Sequence, residues 1–186
     1  MRARAVGSPP LDIGDGGELR NGTAGSVSDV STLEIAHFKE VVGHFATGVV
    51  VVTASNAEGP AGFTCQTFGS LSLDPILISF AAANVGNSWG RFRGVDTVGV
   101  NVLSADQETV ARVFATSGVD KFLGIGWSAG PSGSPLLHDA LAHMEGEIVS
   151  TVTHGDHDLV VVQVQYAATR GGRPLIYYRG GFGLLA

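Results

Sequence analysis

Gly62-Phe63-Thr64-Cys65-Gln66-Thr67-Phe68-Gly69-Ser70-Leu71-Ser72-Leu73 lies between two runs with strong β character, and the reading of the chain starts from it. The stretch holds four hydroxyl side chains, one amide and two glycines. A loop of that composition lets backbone amides approach a phosphate or the polar edge of a ring. No side chain in it transfers protons at neutral pH. It therefore reads in one of two ways: as a cradle for a bound group that brings its own chemistry, or as a hydrogen-bonded turn between strands.

Outward from this stretch the pattern is mainly β. Gly48 to Thr53 contains four consecutive valines, and β-branching makes it a buried strand. A turn is expected over Ser55 to Pro60, a short strand over Ala61 to Cys65, and a third strand over Pro75 to Phe80. Asn84-Val85-Gly86-Asn87-Ser88-Trp89 is a second small, polar turn. Thr97 to Leu103 alternates as a strand, and Ser104 and Gln107 then open a helix with an apolar stripe of Val110, Val113 and Phe114. A Gly-, Ser- and Pro-rich connection follows over residues 124 to 135. Leu141 to Val152 and Asp158 to Ala167 form a hairpin through Thr153-His154-Gly155-Asp156-His157. Pro174 to Tyr178 is the last strand, ended by Arg179-Gly180-Gly181. Six or seven strands joined by hairpin-length links predict a small antiparallel barrel rather than a parallel α/β sheet.

Ahead of the barrel, Ser31 and Glu34 make an S-x-x-E capping pattern, and Ile35, Phe38, Val42 and Phe45 share one helical face. That helix is expected to cover a sheet or a barrel end. Residues 1 to 30 are rich in Gly, Ser, Asp and Pro and read as a flexible arm, leaving residues 31 to 186 as one domain.

The totals narrow the function classes. A chain of 186 residues supports one domain with a sizeable core, and 44% apolar with 15% charged residues is unlike disorder. A net charge of -6 leaves no general footprint for nucleic acid, so a small-molecule ligand is expected. Cys65 is the only cysteine, which excludes an intrachain disulfide. With no secretory apolar core near the start and no membrane-length apolar run, no membrane association and a cytoplasmic location are expected.

Catalytic motifs are few. His154, Asp156 and His157 cluster in one turn, with His138 and His143 upstream, but the spacing is not that of a zinc site and no metal is expected. The alternatives for that turn are a solvated hairpin tip or one functional histidine, His157. No G-x-S-x-G elbow is present. Gly124-Ile125-Gly126 and Gly180-Gly181-Phe182-Gly183 do not sit between a strand and a helix as a dinucleotide fingerprint requires.

Taken together and in order, Phe45 to Thr53, Gly62 to Phe68 running into Ser70-Leu71-Ser72, Pro75, Asn101-Val102-Leu103, Asp120-Lys121-Phe122, Gly155-Asp156-His157 and Tyr178-Arg179-Gly180 resemble the short-chain flavin reductase family. The resemblance implies an FMN-binding split β-barrel, a small antiparallel Greek-key-type barrel with a few flanking helices, in a homodimer with FMN or FAD near the subunit interface. It implies flavin contacts at Thr47, Thr64, Cys65, Gln66, Thr67, Ser70, Leu71 and Ser72, and phosphate contacts around Asn84, Ser88 and Trp89. Because the loop itself carries no lysine, Arg91 or Arg93 is the candidate electrostatic partner of the phosphate; two solvent-facing arginines is the alternative. His157 is the residue assigned to catalysis, by positioning the nicotinamide, and Tyr178 and Arg179 border the same cleft.

The activity implied is hydride transfer from NADH or NADPH to FMN or FAD, with the reduced flavin passed to a separate oxygenase. A flavin carrier without reductase activity, or a flavoprotein acting directly on a small organic substrate, are the alternatives. Two departures from the family pattern stand out: Asp74-Pro75 replaces a double proline, and Gly146 occupies a position that often holds cysteine.

Overall fold

The four valines 49 to 52 are all buried, and they alternate between two separate cores. Val50 and Val52 face a cluster with Phe80, Val98, Val100, Val160 and Val162. Val49 and Val51 face another with Leu103, Phe114, Leu137 and Leu175. A strand buried on both faces has no polar side to alternate, which is why the sequence there is an unbroken apolar run. The computed structural model describes residues 33–85 and 87–184. The arm expected over residues 1 to 30, and Ser31 of the capping pattern, lie outside the described residues.

In chain order the elements are α1 (Ile35–Val42), β1 (Thr47–Gly48), β2 (Val50–Asn56), β3 (Gly59–Cys65), β4 (Gly69–Leu73), β5 (Ile76–Ala83), α2 (Asn87–Gly90) and β6 (Thr97–Val102). A 3-10 turn (Ala105–Gln107) leads into α3 (Glu108–Ala115), followed by β7 (Trp127–Ala129), β8 (Pro135–Leu137), β9 (Ala142–His154), β10 (His157–Thr169), β11 (Leu175–Tyr178) and β12 (Gly181–Leu184). The main sheet has seven antiparallel strands in the order β3-β2-β6-β9-β10-β5-β4. β1, β11 and β12 form a second, three-stranded sheet, and β7 pairs with β8. This is the mainly β, antiparallel architecture that the strand count predicts. Among the described residues no helix is long and apolar enough to cross a membrane.

The opening stretch is less of a loop than its composition predicts. β3 runs through Cys65 and β4 begins at Gly69, so only residues 66 to 68 connect them. Across this gap Thr67 Oγ1 accepts a hydrogen bond from the Ala81 amide at 2.8 Å and lies 3.1 Å from the Ala81 carbonyl. A side chain thus ties the end of β3 to β5. The second core is held by Asn101, whose Nδ2 donates to Val51 O at 3.1 Å while its Oδ1 accepts from the Leu137 amide at 2.7 Å. That fixes β8 against β2 and β6.

Several expectations need correction. α1 forms, but none of its residues is buried, and Ile35 and Phe45 are 71% and 77% exposed, so within one protomer it covers no sheet. The turn expected over Ser55 to Pro60 shrinks to Ala57-Glu58, because β2 pairs with β3 as far as Asn56↔Gly59. β7 lies inside the Gly-, Ser- and Pro-rich connection over residues 124 to 135 and its partner β8 starts at the end of it, and β12 follows the point where the last strand was expected to end. β7 and β8 are three residues long and β12 contains two glycines, too little pattern for periodicity to register.

Gly146 has a physical reason to lack a side chain. A Cβ there would lie 2.2 Å from the Gln163 carbonyl oxygen, next to a register irregularity between Val164 and Tyr166. Any side chain, cysteine included, therefore requires the β9–β10 backbones to separate. Gly146→Ala is expected to destabilise the fold by about 2 kcal/mol, the usual cost of overpacking. Urea unfolding monitored by circular dichroism checks this, and an unchanged midpoint would contradict it.

Candidate functional site

The connector 66 to 68 opens onto a cleft of about 820 Å³. Its walls come from β3 and the connector (Phe63 to Thr67), from β5 (Ala81, Ala83), from α2 (Ser88, Trp89), from the end of α3 and the loop after it (Arg112 to Ser117, Lys121), from the β9–β10 tip (His157) and from the small sheet (Tyr177, Gly180, Phe182). Residues far apart in the chain meet here because β3 and β5 are drawn together at Thr67. Of the residues singled out in the sequence, Thr64, Cys65, Gln66, Thr67, Ser88, Trp89 and His157 line this cleft.

Their polar groups are differently engaged than the composition suggests. Thr64 Oγ1 donates to Ala111 O at 2.6 Å, which anchors α3, and Thr67 is committed to Ala81. Cys65 is buried, with its sulfur 3.2 Å from Thr67 Oγ1. Burial pushes the thiol pKa up, outweighing the opposing pull of the Thr67 hydroxyl and of the Thr67 and Phe68 amides. Cys65 is thus an organiser of the connector rather than a nucleophile. Gln66 keeps an exposed side chain facing the cleft.

Lys121 is the residue that reasoning from the sequence passed over. Its Nζ donates to Ser88 Oγ at 2.7 Å, Phe114 O at 2.8 Å and Gly62 O at 3.1 Å. Desolvation lowers its pKa, and the nearby charge of Arg91 lowers it further. Among the described residues no carboxylate lies within ion-pair distance of it. Asp120-Lys121-Phe122 is one of the segments that carry the family resemblance, which is the signal the sequence offers for it. The Asp120 carboxylate accepts the Phe122 amide at 3.0 Å and shapes the turn.

At the other end of the cleft, His157 Nδ1 sits 2.8 Å from Asp156 Oδ1. That contact holds the Asp156 carboxyl below its ordinary pKa and orients the ring. Arg112 pairs with Glu108 one helical turn away and places its guanidinium 4.9 Å from the centre of the Phe182 ring.

The other candidates fall outside this cleft. Thr47 pairs with Tyr177 in the small sheet, and its Oγ1 is buried without a hydrogen-bond partner. Ser70, Leu71 and Ser72 lie on β4 at the sheet edge, and Ser72 Oγ accepts the Asp74 amide at 3.2 Å. Tyr178 packs edge-on against His44, and the Arg179 amide donates to Gly43 O at 3.0 Å, so this pair ties the C-terminal strands to α1. Asn84, Arg91 and Arg93 line a neighbouring depression that shares Trp89 with the cleft. Asn84 Nδ2 and Trp89 Nε1 both donate to the Asp158 carboxylate, at 3.1 and 2.8 Å, and with Thr153 they hold its pKa low.

What this arrangement can do is hold an elongated anionic ligand. Lys121 offers an uncompensated positive charge, the connector offers a narrow floor, and His157 offers an oriented ring at the opposite end. Among the described residues no group of three or more His, Cys, Asp or Glu side chains is placed to hold a metal ion.

Comparison with known proteins agrees with this geometry. Residues 42–186 match the family described as flavin reductase like domain. The chain is 37% identical over 146 residues to the reductase subunit HsaB of a flavin-dependent monooxygenase from Rhodococcus jostii, covering 78% of this chain and 75% of that protein. It is 36% identical over 146 residues to an FMN reductase (NADH), SmoA, from Agrobacterium fabrum, covering 78% and 83% of the two chains. Among solved structures, an NADH:FAD oxidoreductase from Streptomyces globisporus in complex with NAD and FAD fragments matches with a TM-score of 0.77 at 33% identity, over 81% of this chain and 92% of that one. A match of this extent, on an antiparallel fold of the same kind, makes the chain a member of the flavin reductase like family.

Proposed function

We propose that the protein is an NAD(P)H-dependent flavin reductase whose flavin lies along the cleft with its phosphate at Lys121 and Ser88. The observation that carries the reading is the partly desolvated Lys121 ammonium, which has three neutral acceptors and no carboxylate partner among the described residues. A partly desolvated cation without a counter-charge carries a cost, and a phosphate bound beside it offsets that cost by charge attraction. The bound flavin supplies the redox chemistry, taking hydride from the nicotinamide.

The chain's own residues do the holding and placing. Lys121 and Ser88 fix the phosphate end, the Gln66 amide meets the polar edge of the ring, and Cys65 and Thr67 keep the connector in shape. His157, oriented by Asp156, borders the nicotinamide and places it for transfer; the rate gain comes from proximity and orientation. Thr47, Ser70 to Ser72, Tyr178 and Arg179 come to this site only through the second protomer or through scaffold contacts. The reading treats residues 31 to 186 as the flavin reductase unit, in a cytoplasmic setting, with reduced flavin delivered to a separate oxygenase.

NADH or NADPH consumption with added FMN and FAD tests the reading directly; no turnover with any pair would overturn it. Lys121→Met is expected to weaken flavin binding roughly tenfold or more. His157→Ala is expected to raise the nicotinamide KM while leaving the flavin Kd nearly unaltered. An equal loss in both constants would return His157 to a structural part.

A homodimer belongs to the same reading. Ile35, Phe38, Val41, Val42 and Phe45 present a set of exposed apolar side chains on and just after α1, an arrangement that supports a contact with a second copy. Sedimentation velocity is expected to give a dimer, and Phe38→Asp a monomer that retains its β-sheet circular dichroism. A monomeric wild-type protein would refute this part.

A further inference from the structure

One wall of the cleft is held differently from the others. β3 and β5 belong to the seven-stranded sheet, whereas Tyr177, Gly180 and Phe182 come from the small sheet, whose outer strand β12 pairs with β11. In Gly180-Gly181-Phe182-Gly183 the phenylalanine is the one side chain the stretch carries. A Cβ at Gly180 or Gly183 would meet nothing within 4 Å, so the backbone there lies free of its surroundings on those sides. Gly180 also takes a φ of +81°, a left-handed conformation that favours glycine. A segment so bare is fixed at the cleft by its ring.

The half-buried Phe182 ring is placed from two sides. The Tyr177 ring meets it edge-on, with centroids 5.3 Å apart. The Arg112 guanidinium lies 4.9 Å from its centre, a cation–π distance. Arg112 is itself tethered, because Nε and one terminal nitrogen both donate to Glu108 Oε1, at 2.8 and 2.6 Å, one turn back along α3. The arginine side chain is 63% exposed and, untethered, would sample many rotamers, so the carboxylate holds the guanidinium over the ring. Neighbouring residues of α3 already serve the site: Ala111 O accepts from Thr64, and Phe114 O accepts from Lys121. Through Arg112 the helix that seats the floor of the cleft and its cation also reaches β12.

We propose that Glu108 and Arg112 are positioning residues that hold Phe182 as the closing wall of the cleft, and that this hold sets how fast flavin leaves. The proposal rests on the reading of the cleft as the flavin site. A reductase that supplies a separate oxygenase must let its reduced flavin go, and an exposed cation–π contact is weak enough to open. The two charges offset each other, so the hold adds no net charge to the cleft.

Hydrogen exchange in the ligand-free protein reads the hold itself. Arg112→Leu and Glu108→Ala are expected to speed exchange over residues 175–184 while β9 and β10 exchange as in the wild type. Arg112→Lys keeps a charge over the ring and is expected to restore part of the protection. Stopped-flow displacement of bound FMN reads the consequence. Arg112→Leu is expected to raise the FMN dissociation rate about two- to fivefold, the range an exposed cation–π contact supports, with association unaltered. In a Phe182→Leu background the same substitution is expected to add nothing, because the ring it acts through is gone. Unchanged exchange over residues 175–184, an unchanged dissociation rate, or an Arg112→Leu effect that persists in the Phe182→Leu background overturns the proposal. Wild-type protein that binds neither FMN nor FAD would count against the reductase reading and against control of release with it, and hydrogen exchange would still decide whether Arg112 holds β12.

Discussion

Thr67 Oγ1 accepts from the Ala81 amide and faces its carbonyl, so a side chain stands where a neighbouring strand's backbone would otherwise pair. Most of the site follows from that contact. It draws the end of β3 onto β5 without letting the two strands zip into a full ladder, and the gap it leaves is the mouth of the cleft. A continuous strand pair here would close the barrel and remove the cleft. A wholly unpaired gap would leave the Ala81 backbone groups unsatisfied, at a cost of about 1–3 kcal/mol for a buried group. The connector's small polar composition is first a solution to this scaffold problem. Its hydroxyls at Thr64 and Thr67 are engaged by the protein, so the proposed ligand recognition falls instead to the charge at Lys121, the amide of Gln66 and the ring of His157.

The two cores flanking β2 explain how the cleft stays rigid. The barrel interior packs Phe63, Phe80, Trp89 and Phe92 ring against ring, with centroids 5.3 to 6.2 Å apart, and this holds α2 and Ser88 in place. On the other side Phe114 packs against Gly62 so closely that a Cβ there would fall 2.6 Å from its ring. Gly62 O is at the same time an acceptor for Lys121. Glycine at that position therefore serves two ends, the approach of α3 and the seat of the cation.

Much of this was legible in the sequence because it is local. The valine run fixes a strand buried on both faces, the hairpin tip at Gly155-Asp156 falls where the strand pattern breaks, and Gln107 Oε1 does accept the Ser104 amide at 3.0 Å as the S-x-x-Q spacing predicts. The ordered segments also carried the family. What escaped was non-local. Lys121 takes its acceptors from Gly62, 59 positions away, and from Ser88, 33 positions away, and no window of sequence contains both. The periodicity of α1 shows an apolar face but not what covers it, since an amphipathic stripe reads the same whether its cover is the same chain or another. The side on which Arg91 and Arg93 lie is likewise non-local: adjacency in sequence to Ser88 puts them near the same helix, and the fold turns them into the neighbouring depression.

Charge distribution resolves an apparent contradiction. The chain carries a net charge of -6, yet its inferred ligands are anions. Screening decides the matter, because at physiological ionic strength charges beyond about 8 Å contribute little, so a ligand in the cleft responds to its walls and not to the total. The residues lining the cleft include no carboxylate, and acidic groups near it are occupied: Asp156 by His157, Asp158 by Thr153, Trp89 and Asn84, Glu108 by Arg112. Lys121 is left with neutral acceptors, and Arg91 adds to the same field. The fold thus engages the carboxylates near the cleft and leaves Lys121 without a carboxylate partner among the described residues, which yields a locally positive groove on an acidic protein. In the proposed reading such a groove would hold a flavin phosphate without setting a full charge against the ring, where it would bias the redox state that hydride transfer must change.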